Sequence, residues 1–181
     1  MEIRNETAAD QAAVHALHLA AFSTPAEAKL VDLLRAQAQP LVSLVAADAD
    51  GIAGHILFSP MRTAGPVDGP QALLMGLAPL AVAPSRQGGG IGSALVCAGL
   101  HACSKLGVAA VAVLGDPAYY RRFGFAPAGR HGLHCRYTEP GGAPPEAFMV
   151  MELVPHALRG SDARAPITGL LRYHPAFDTL D

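Results

Sequence analysis

The residues best suited to chemistry lie in one stretch, residues 80–92, which reads L-A-V-A-P-S-R-Q-G-G-G-I-G. An apolar run ends at Val82, three consecutive glycines make a turn, and a helical pattern starts at Ile91. Glycine reaches positive φ at little steric cost and leaves no side chain over its amide. The first turn of a helix adds unpaired N–H groups and a partial positive charge. A strand, glycine turn and helix in this order suit a phosphate or diphosphate, and Arg86 brings a full positive charge to the rim. Two phosphate signatures are excluded. In the dinucleotide pattern G-x-G-x-x-G/A, counting from Gly88 puts Ser93 last, and counting from Gly90 puts Leu95 last. The nucleotide P-loop requires G-K-[ST], and none follows. A tight turn without a ligand is the other reading of these residues.

Other reactive side chains are scattered. His15 and His18 stand at helical spacing without a third metal ligand, so a solvated helix face is expected and no metal site. His55 falls in a strand pattern, where a packed or surface histidine is expected and a general base is the alternative. Cys97, Cys103 and Cys135 are an odd number with no C-x-x-C, which fits reduced thiols. Cys97 reads as buried packing, and His134-Cys135 is too isolated for a nucleophilic pair. Arg121 and Arg122 read as surface charges.

Pattern and punctuation predict the elements that must position these groups. Ile3 belongs to a short strand ending near Thr7. Thr7 and Asp10 have the spacing of a capping box, and Val14, Leu17, Ala21 and Phe22 recur at helical period. Thr24 as cap, Pro25 at the first helical position and Glu27 closing the box start a second helix, with Leu30, Val31, Leu33 and Leu34 on its apolar face. Strands are expected over 41–47 and 52–58, joined at Asp50-Gly51. Residues 60–71 are turn-rich. A strand over 73–82 is interrupted by Pro79, which a bulge would tolerate. Ile91, Leu95, Ala98, Ala102 and Leu106 form a helical stripe. Residues 108–114 read as a strand buried on both faces, 117–123 as a short helix and 146–154 as a late strand. The segment after Pro155 carries no clear pattern. The strand–helix–strand unit over 73–114 implies a right-handed parallel crossover. The fold class is therefore α/β (α+β), a mixed sheet with helices.

Composition narrows the function classes. The chain has 181 residues, which favours one domain. Hydrophobic residues make up 51% and charged residues 15%, which excludes a disordered chain. The net charge of −2 comes with no basic block, so neither nucleic acid nor an anionic membrane is an expected partner. The longest apolar run, 106–115, falls far short of the ~20 residues of a membrane span. The opening MEIRNETAAD lacks an apolar signal core, and a cytoplasmic location is expected.

Residues 87–92, Q-G-G-G-I-G, fit the Q/R-x-x-G-x-G/A signature of the GNAT superfamily of N-acetyltransferases. The preceding L-A-V-A-P is typical of that family. Tyr120-Arg121-Arg122-Phe123-Gly124-Phe125 resembles its Y-x-x-x-G-F segment. The resemblance is sharp over 77–125 and follows the element order over 1–154, with 155–181 as a C-terminal extension packed on the same domain. It implies a mixed central sheet flanked by helices, with central strands that splay near Pro79.

The resemblance also implies acetyl-CoA as co-substrate. Gln87, Gly88, Gly89, Gly90, Ile91, Gly92 and Ser93 would hold its diphosphate. Main-chain groups of Leu80, Ala81 and Val82 would pair with the pantetheine arm, and a free amide there would face the acetyl oxygen. Tyr120 would donate a proton to the leaving thiolate. Glu27, near the family's acceptor cleft, His55 or a water relay would take the proton of the amine. Asp116 stands where many relatives have asparagine, and a helix cap is the expectation for it. The implied activity is N-acetylation of a primary amine on a small molecule or peptide, by a monomer or homodimer. A catalytically silent CoA-binding sensor is the alternative.

Overall fold

The structure is a computed structural model that describes residues 1–64, 72–138, 142–160 and 166–179. Nine strands and four α-helices follow in chain order among them. They are β1 Glu2–Asn5, α1 Gln11–Ala21, α2 Ala26–Gln37, β2 Val42–Asp48, β3 Gly51–Thr63, β4 Leu74–Val82 and α3 Ile91–Lys105. Then come β5 Ala110–Leu114, α4 Pro117–Tyr120, β6 Ala126–Pro127, β7 Leu133–His134, β8 Phe148–Glu152 and β9 Gly169–Arg172. The strand order is β1-β2-β3-β4-β5-β8-β6, with β9 paired to β3 and β7. This is the mixed sheet flanked by helices that the sequence predicts. No helix among the described residues is long and apolar enough to cross a membrane.

The chain divides into two compact units. The first holds residues 1–59, 77–102 and 174–181. Its β2–β3 hairpin turns at Asp50-Gly51, where Gly51 has φ +111° and the Asp48 carboxylate accepts from the Asp50 amide at 3.1 Å. The strand period of two sorts the two faces of this hairpin. Val45 and Leu57 pack with Val14 of α1 and with Leu30, Val31 and Leu34 of α2. On the other face, Gly54 lies against Ile91 and Leu95 of α3, and Gly99 of α3 lies against the Phe58 ring. A β-carbon at either glycine would collide with these side chains, so glycine is what lets α3 seat on the sheet. Before α1, the Asp10 carboxylate accepts from the Thr7 amide and hydroxyl at 2.8 and 2.7 Å and from Arg4, in keeping with the predicted box.

The second unit holds residues 60–76 and 103–173. β5 pairs antiparallel with β8, and β6 with β8. Its core gathers Met61, Leu74, Ala110, Ala112, Phe148, Val150, Leu158 and Leu171. The β5 residues from Ala110 to Val113 are buried on both faces, as a continuous apolar run predicts.

Several boundaries differ from the sequence reading. The strand expected over 52–58 runs on to Thr63, so residues 60–63 are strand and not turn; residues 65–71 lie outside the described residues. β3 lengthens because its end gains a second partner, Arg62 and Thr63 pairing with Arg172 and Leu171 of β9. That strand comes from the segment that showed no pattern, being only four residues long. Helix α2 starts at Ala26, one residue later than expected, with Pro25 as its cap residue. The late strand starts at Phe148, after a 3-10 turn over Pro145–Ala147. Leu106 is not part of the α3 stripe: the helix ends at Lys105 and Leu106 is exposed.

Candidate functional site

The first unit carries the glycine turn complete. After β4 the Ala83 amide donates to the Ala53 carbonyl at 2.9 Å, and a 3-10 turn over Pro84–Arg86 redirects the chain. Gly88 and Gly90 have φ of +77° and +87°, values that other residues adopt only with strain. A β-carbon at either would meet nothing within 4 Å, so the space beside these two glycines is open. The Ala94 amide donates to the Gly90 carbonyl at 3.0 Å as α3 begins. The amides of Ile91, Gly92 and Ser93 therefore stand in the first helical turn, where none has an intrahelical acceptor. Gln87 braces the turn from below, its Nε2 donating to the Val82 carbonyl at 3.1 Å. Arg86 differs from expectation. Its Nη2 donates to Asp48 Oδ2 at 2.7 Å, so its charge is already paired. Beside that guanidinium the Asp48 carboxyl is held below its usual pKa, with help from the Asp50 amide. Of the expected pantetheine strand, Ala81 is buried and Leu80 and Val82 are half-buried.

The second unit carries Tyr120. Asp116 caps the short helix α4, its Oδ1 accepting from the Ala118 amide at 2.8 Å. Tyr120 is buried against Gly115, and its ring meets Phe125 edge-on at a centroid distance of 5.7 Å. Burial, with Tyr119 beside it, raises the phenol's pKa. Among the described residues its hydroxyl has no hydrogen-bond partner. Arg121 and Arg122 are exposed as expected, Arg122 lying over the Tyr119 ring at 4.6 Å.

The two base candidates fare differently. Glu27 is half-buried near the start of α2, and its Oε2 accepts from the Thr24 hydroxyl at 3.4 Å. The Thr24 oxygen in turn accepts from the Ala26 amide, also at 3.4 Å. His55 is fully buried with both ring nitrogens engaged. Ser43 Oγ donates to Glu6 Oε2 and lies 2.8 Å from His55 Nε2. The hydroxyl's one hydrogen is donated to the carboxylate, so its oxygen must accept from His55 Nε2–H. His55 Nδ1 is then an acceptor, and His18 Nε2, 2.8 Å away, is its donor. His18 is fully buried as well, which corrects the expected solvated face; its ring stacks on Phe22. Burial, reinforced by His55 and Arg35, lowers His18 to about 3, and burial lowers His55 too. Burial alone would raise Glu6, but the nearby His55 ring, 3.6 Å away, and hydrogen bonds from Arg35 and Ser43 outweigh it and hold the carboxyl at about 2.

The cysteines separate in the same way. Cys103 is buried beside Met75, and burial pushes its thiol up to about 12. Cys97 is exposed, contrary to expectation, because it sits on the outer face of α3. No group of three His, Cys, Asp or Glu side chains able to hold a metal occurs among the described residues.

Glu6, Ser43 and Asp48 escaped the sequence reading. Glu6 and Ser43 are 37 residues apart, as are His18 and His55, so no contiguous motif announces them. Asp48 belongs to the A-D-A-D-G run, which reads simply as a hairpin turn.

The acetyltransferase (GNAT) domain family matches residues 40–127. Over 179 residues the chain is 41% identical to the uncharacterised N-acetyltransferase YhbS of Escherichia coli K12, covering 98% of this chain and 99% of that one. The chain belongs to the GNAT acetyltransferases. The crystal structure of Escherichia coli YhbS in complex with CoA superposes with a TM-score of 0.83 at 40% identity, over 98% of this chain and 91% of that one. A GNAT acetyltransferase of Brucella melitensis in complex with acetyl-CoA gives 0.72 at 33% identity, over 98% and 97%. This GNAT protein is accordingly an acyltransferase, as the motifs at 87–92 and 120–125 imply.

Proposed function

We propose that this GNAT protein transfers the acetyl group of acetyl-CoA to a primary amine, which attacks the thioester directly. One observation carries the reading: a turn with two positive-φ glycines, with open space beside both, leads into a 15-residue helix. Relatives that share nearly the whole chain bind CoA and acetyl-CoA. The residues present fit a diphosphate, and the amides of residues 87–93 would hold it, as in other helix-start anion sites. Leu80, Ala81 and Val82 would pair their backbone with the pantetheine arm. An amide of Leu80 or Ala81 directed at the acetyl oxygen would be an oxyanion donor, worth about 2.7–4 kcal/mol.

Acetyl-CoA supplies an activated acyl carbon and a thiolate leaving group. The amine nitrogen bonds to that carbon, the carbon–sulfur bond breaks, and the thiolate takes a proton from Tyr120. A buried phenol stays protonated at neutral pH and can give its proton to a thiolate whose thiol has a pKa near about 8.5. The nitrogen, cationic once bonded to the carbon, loses its second proton to water, and the phenolate recovers a proton from water. The alkyl ammonium must first lose a proton, having a pKa of about 10.4. Glu27, whose carboxylate is partly accessible, would pass that proton to water. His55 is left out of this role because its ring nitrogens are occupied and buried. The acceptor is a small molecule or a peptide carrying a primary amine.

Incubation with acetyl-CoA and a panel of amines, read as free thiol release and a 42 Da gain in acceptor mass (about one acetyl for one proton), tests the proposal. Turnover with at least one amine is expected. Binding of CoA without turnover across a broad panel would instead describe a silent sensor.

A further inference from the structure

Arg86 and Asp48 stand at the lip of the glycine turn, all within the first unit. Arg86 immediately precedes Gln87, yet its guanidinium turns to the β2–β3 hairpin and meets Asp48 at 2.7 Å. Asp48 is itself fixed, because its other oxygen accepts from the Asp50 amide. Asp50 is a second carboxylate in the same hairpin, and the Met1 amine also bears on Asp48. The pair is partly open to water, at 37% and 20% side-chain exposure. A free arginine here would attract the three phosphates of coenzyme A, and a free aspartate would repel them. Paired, they present a nearly neutral lip, and the backbone amides do the holding.

We propose that Asp48, acting through Arg86, is a positioning residue that limits how tightly and how long the glycine turn holds coenzyme A. This rests on the reading of that turn as the coenzyme site. An acetyltransferase must release CoA once per turnover, and product release commonly limits such rates. A counter-charge that keeps Arg86 engaged with the hairpin keeps the product exchangeable.

The test is CoA binding by calorimetry, with dissociation followed by stopped flow, for wild type, Asp48→Asn, Arg86→Gln and the double variant. Asparagine keeps one acceptor oxygen, enough for the Asp50 amide, and replaces the oxygen that holds Arg86 with an uncharged NH2 that cannot accept, so the guanidinium is released. Asp48→Asn should bind CoA about two- to fivefold tighter, with slower dissociation, the scale of an exposed ion pair. Arg86→Gln should bind more weakly by a similar factor, and the double variant should return close to wild type. The gap between Asp48→Asn and wild type should narrow at about 0.5 M salt, where charges are screened within a few ångströms. If Asp48 were only a structural brace, Asp48→Asn would loosen the turn and bind more weakly. That result, or a gap insensitive to salt, would overturn the proposal. Failure of the wild-type chain to bind CoA would remove the coenzyme reading and this one with it. Wild-type binding with no response to Asp48→Asn would remove only the role of Asp48.

Discussion

Two polar regions of the first unit have opposite designs. The glycine turn between β4 and α3 is built from consecutive residues, is open to solvent and leaves backbone donors without acceptors. The chain Glu6–Ser43–His55–His18 is built from four distant residues, has both histidines fully buried, and links its members by hydrogen bonds. In an open site, unpaired donors cost little because water satisfies them until a ligand arrives. In a dry one, an unpaired group costs its full desolvation, so the partners must be complete. His18 Nδ1 is the exception, being buried with no hydrogen-bond partner. Open backbone donors characterise the turn proposed to hold the coenzyme, and mostly filled valences characterise the packed histidines.

The sharpest way to break this contrast is to fill the open face. Gly89→Glu puts a carboxylate where the diphosphate belongs, at a position with no positive φ. It should abolish CoA binding in calorimetry with an unchanged circular dichroism spectrum. Gly90→Glu should do the same and lose up to a few kcal/mol of stability as well, since a side chain at φ +87° is strained. Retained CoA affinity in both would place the coenzyme elsewhere.

The next effects should be separable. Tyr120→Phe keeps the ring that packs on Gly115 and Phe125 and removes only the hydroxyl. It should lower kcat by about 10²–10⁴-fold while CoA affinity and melting temperature hardly change. Ser43→Ala should do the reverse. It removes the hydroxyl between Glu6 and His55; Arg35 still serves Glu6, but the buried His55 Nε2–H loses its acceptor, at a cost of about 1–3 kcal/mol in urea denaturation. CoA affinity should stay within about twofold, because Ser43 stands outside the glycine turn. Loss of binding in Ser43→Ala would merge the two regions into one.

The smallest effect is a pH dependence. His18 has a folded pKa of about 3 against 6.5, so its contribution is fully present above about pH 6.5 and is lost progressively as pH falls toward 3. Glu6, at about 2 against 4.5, adds a loss that begins only below about pH 4.5. Urea midpoints of the ligand-free chain should therefore fall between about pH 7 and 5, before Glu6 contributes. The slope should be shallower in His18→Leu and unchanged in Gly89→Glu. Equal slopes in wild type and His18→Leu would show that the imidazole is not held neutral.

The same contrast explains what was legible in the sequence. The glycine turn and the Tyr120 segment are short, contiguous runs in which each residue type has a local backbone reason. They therefore announced the family, and the proposed coenzyme site rests on the same residues. The strands at 42–48 and 110–114 were legible as short apolar runs, expected over 41–47 and 108–114, and the long helix from its apolar stripe. The buried chain was not, because a lone histidine in a strand pattern says nothing of a partner 37 residues away. β9 escaped for a related reason: four residues are too few to show a period, and pairing with β3 and β7 is what makes them a strand. Cys97 and Leu106 were misjudged because apolar character alone does not say which face of a helix, or which side of its last turn, meets water.

Backbone amide NMR during a CoA titration tests the central claim most directly. The amides of residues 88–93 should shift first and furthest, saturating with one equivalent, and the resonances of Ser43, His55 and His18 should stay in place. CoA that binds without moving the 88–93 amides, or that moves the buried histidines instead, would contradict the assignment of the glycine turn as the diphosphate site.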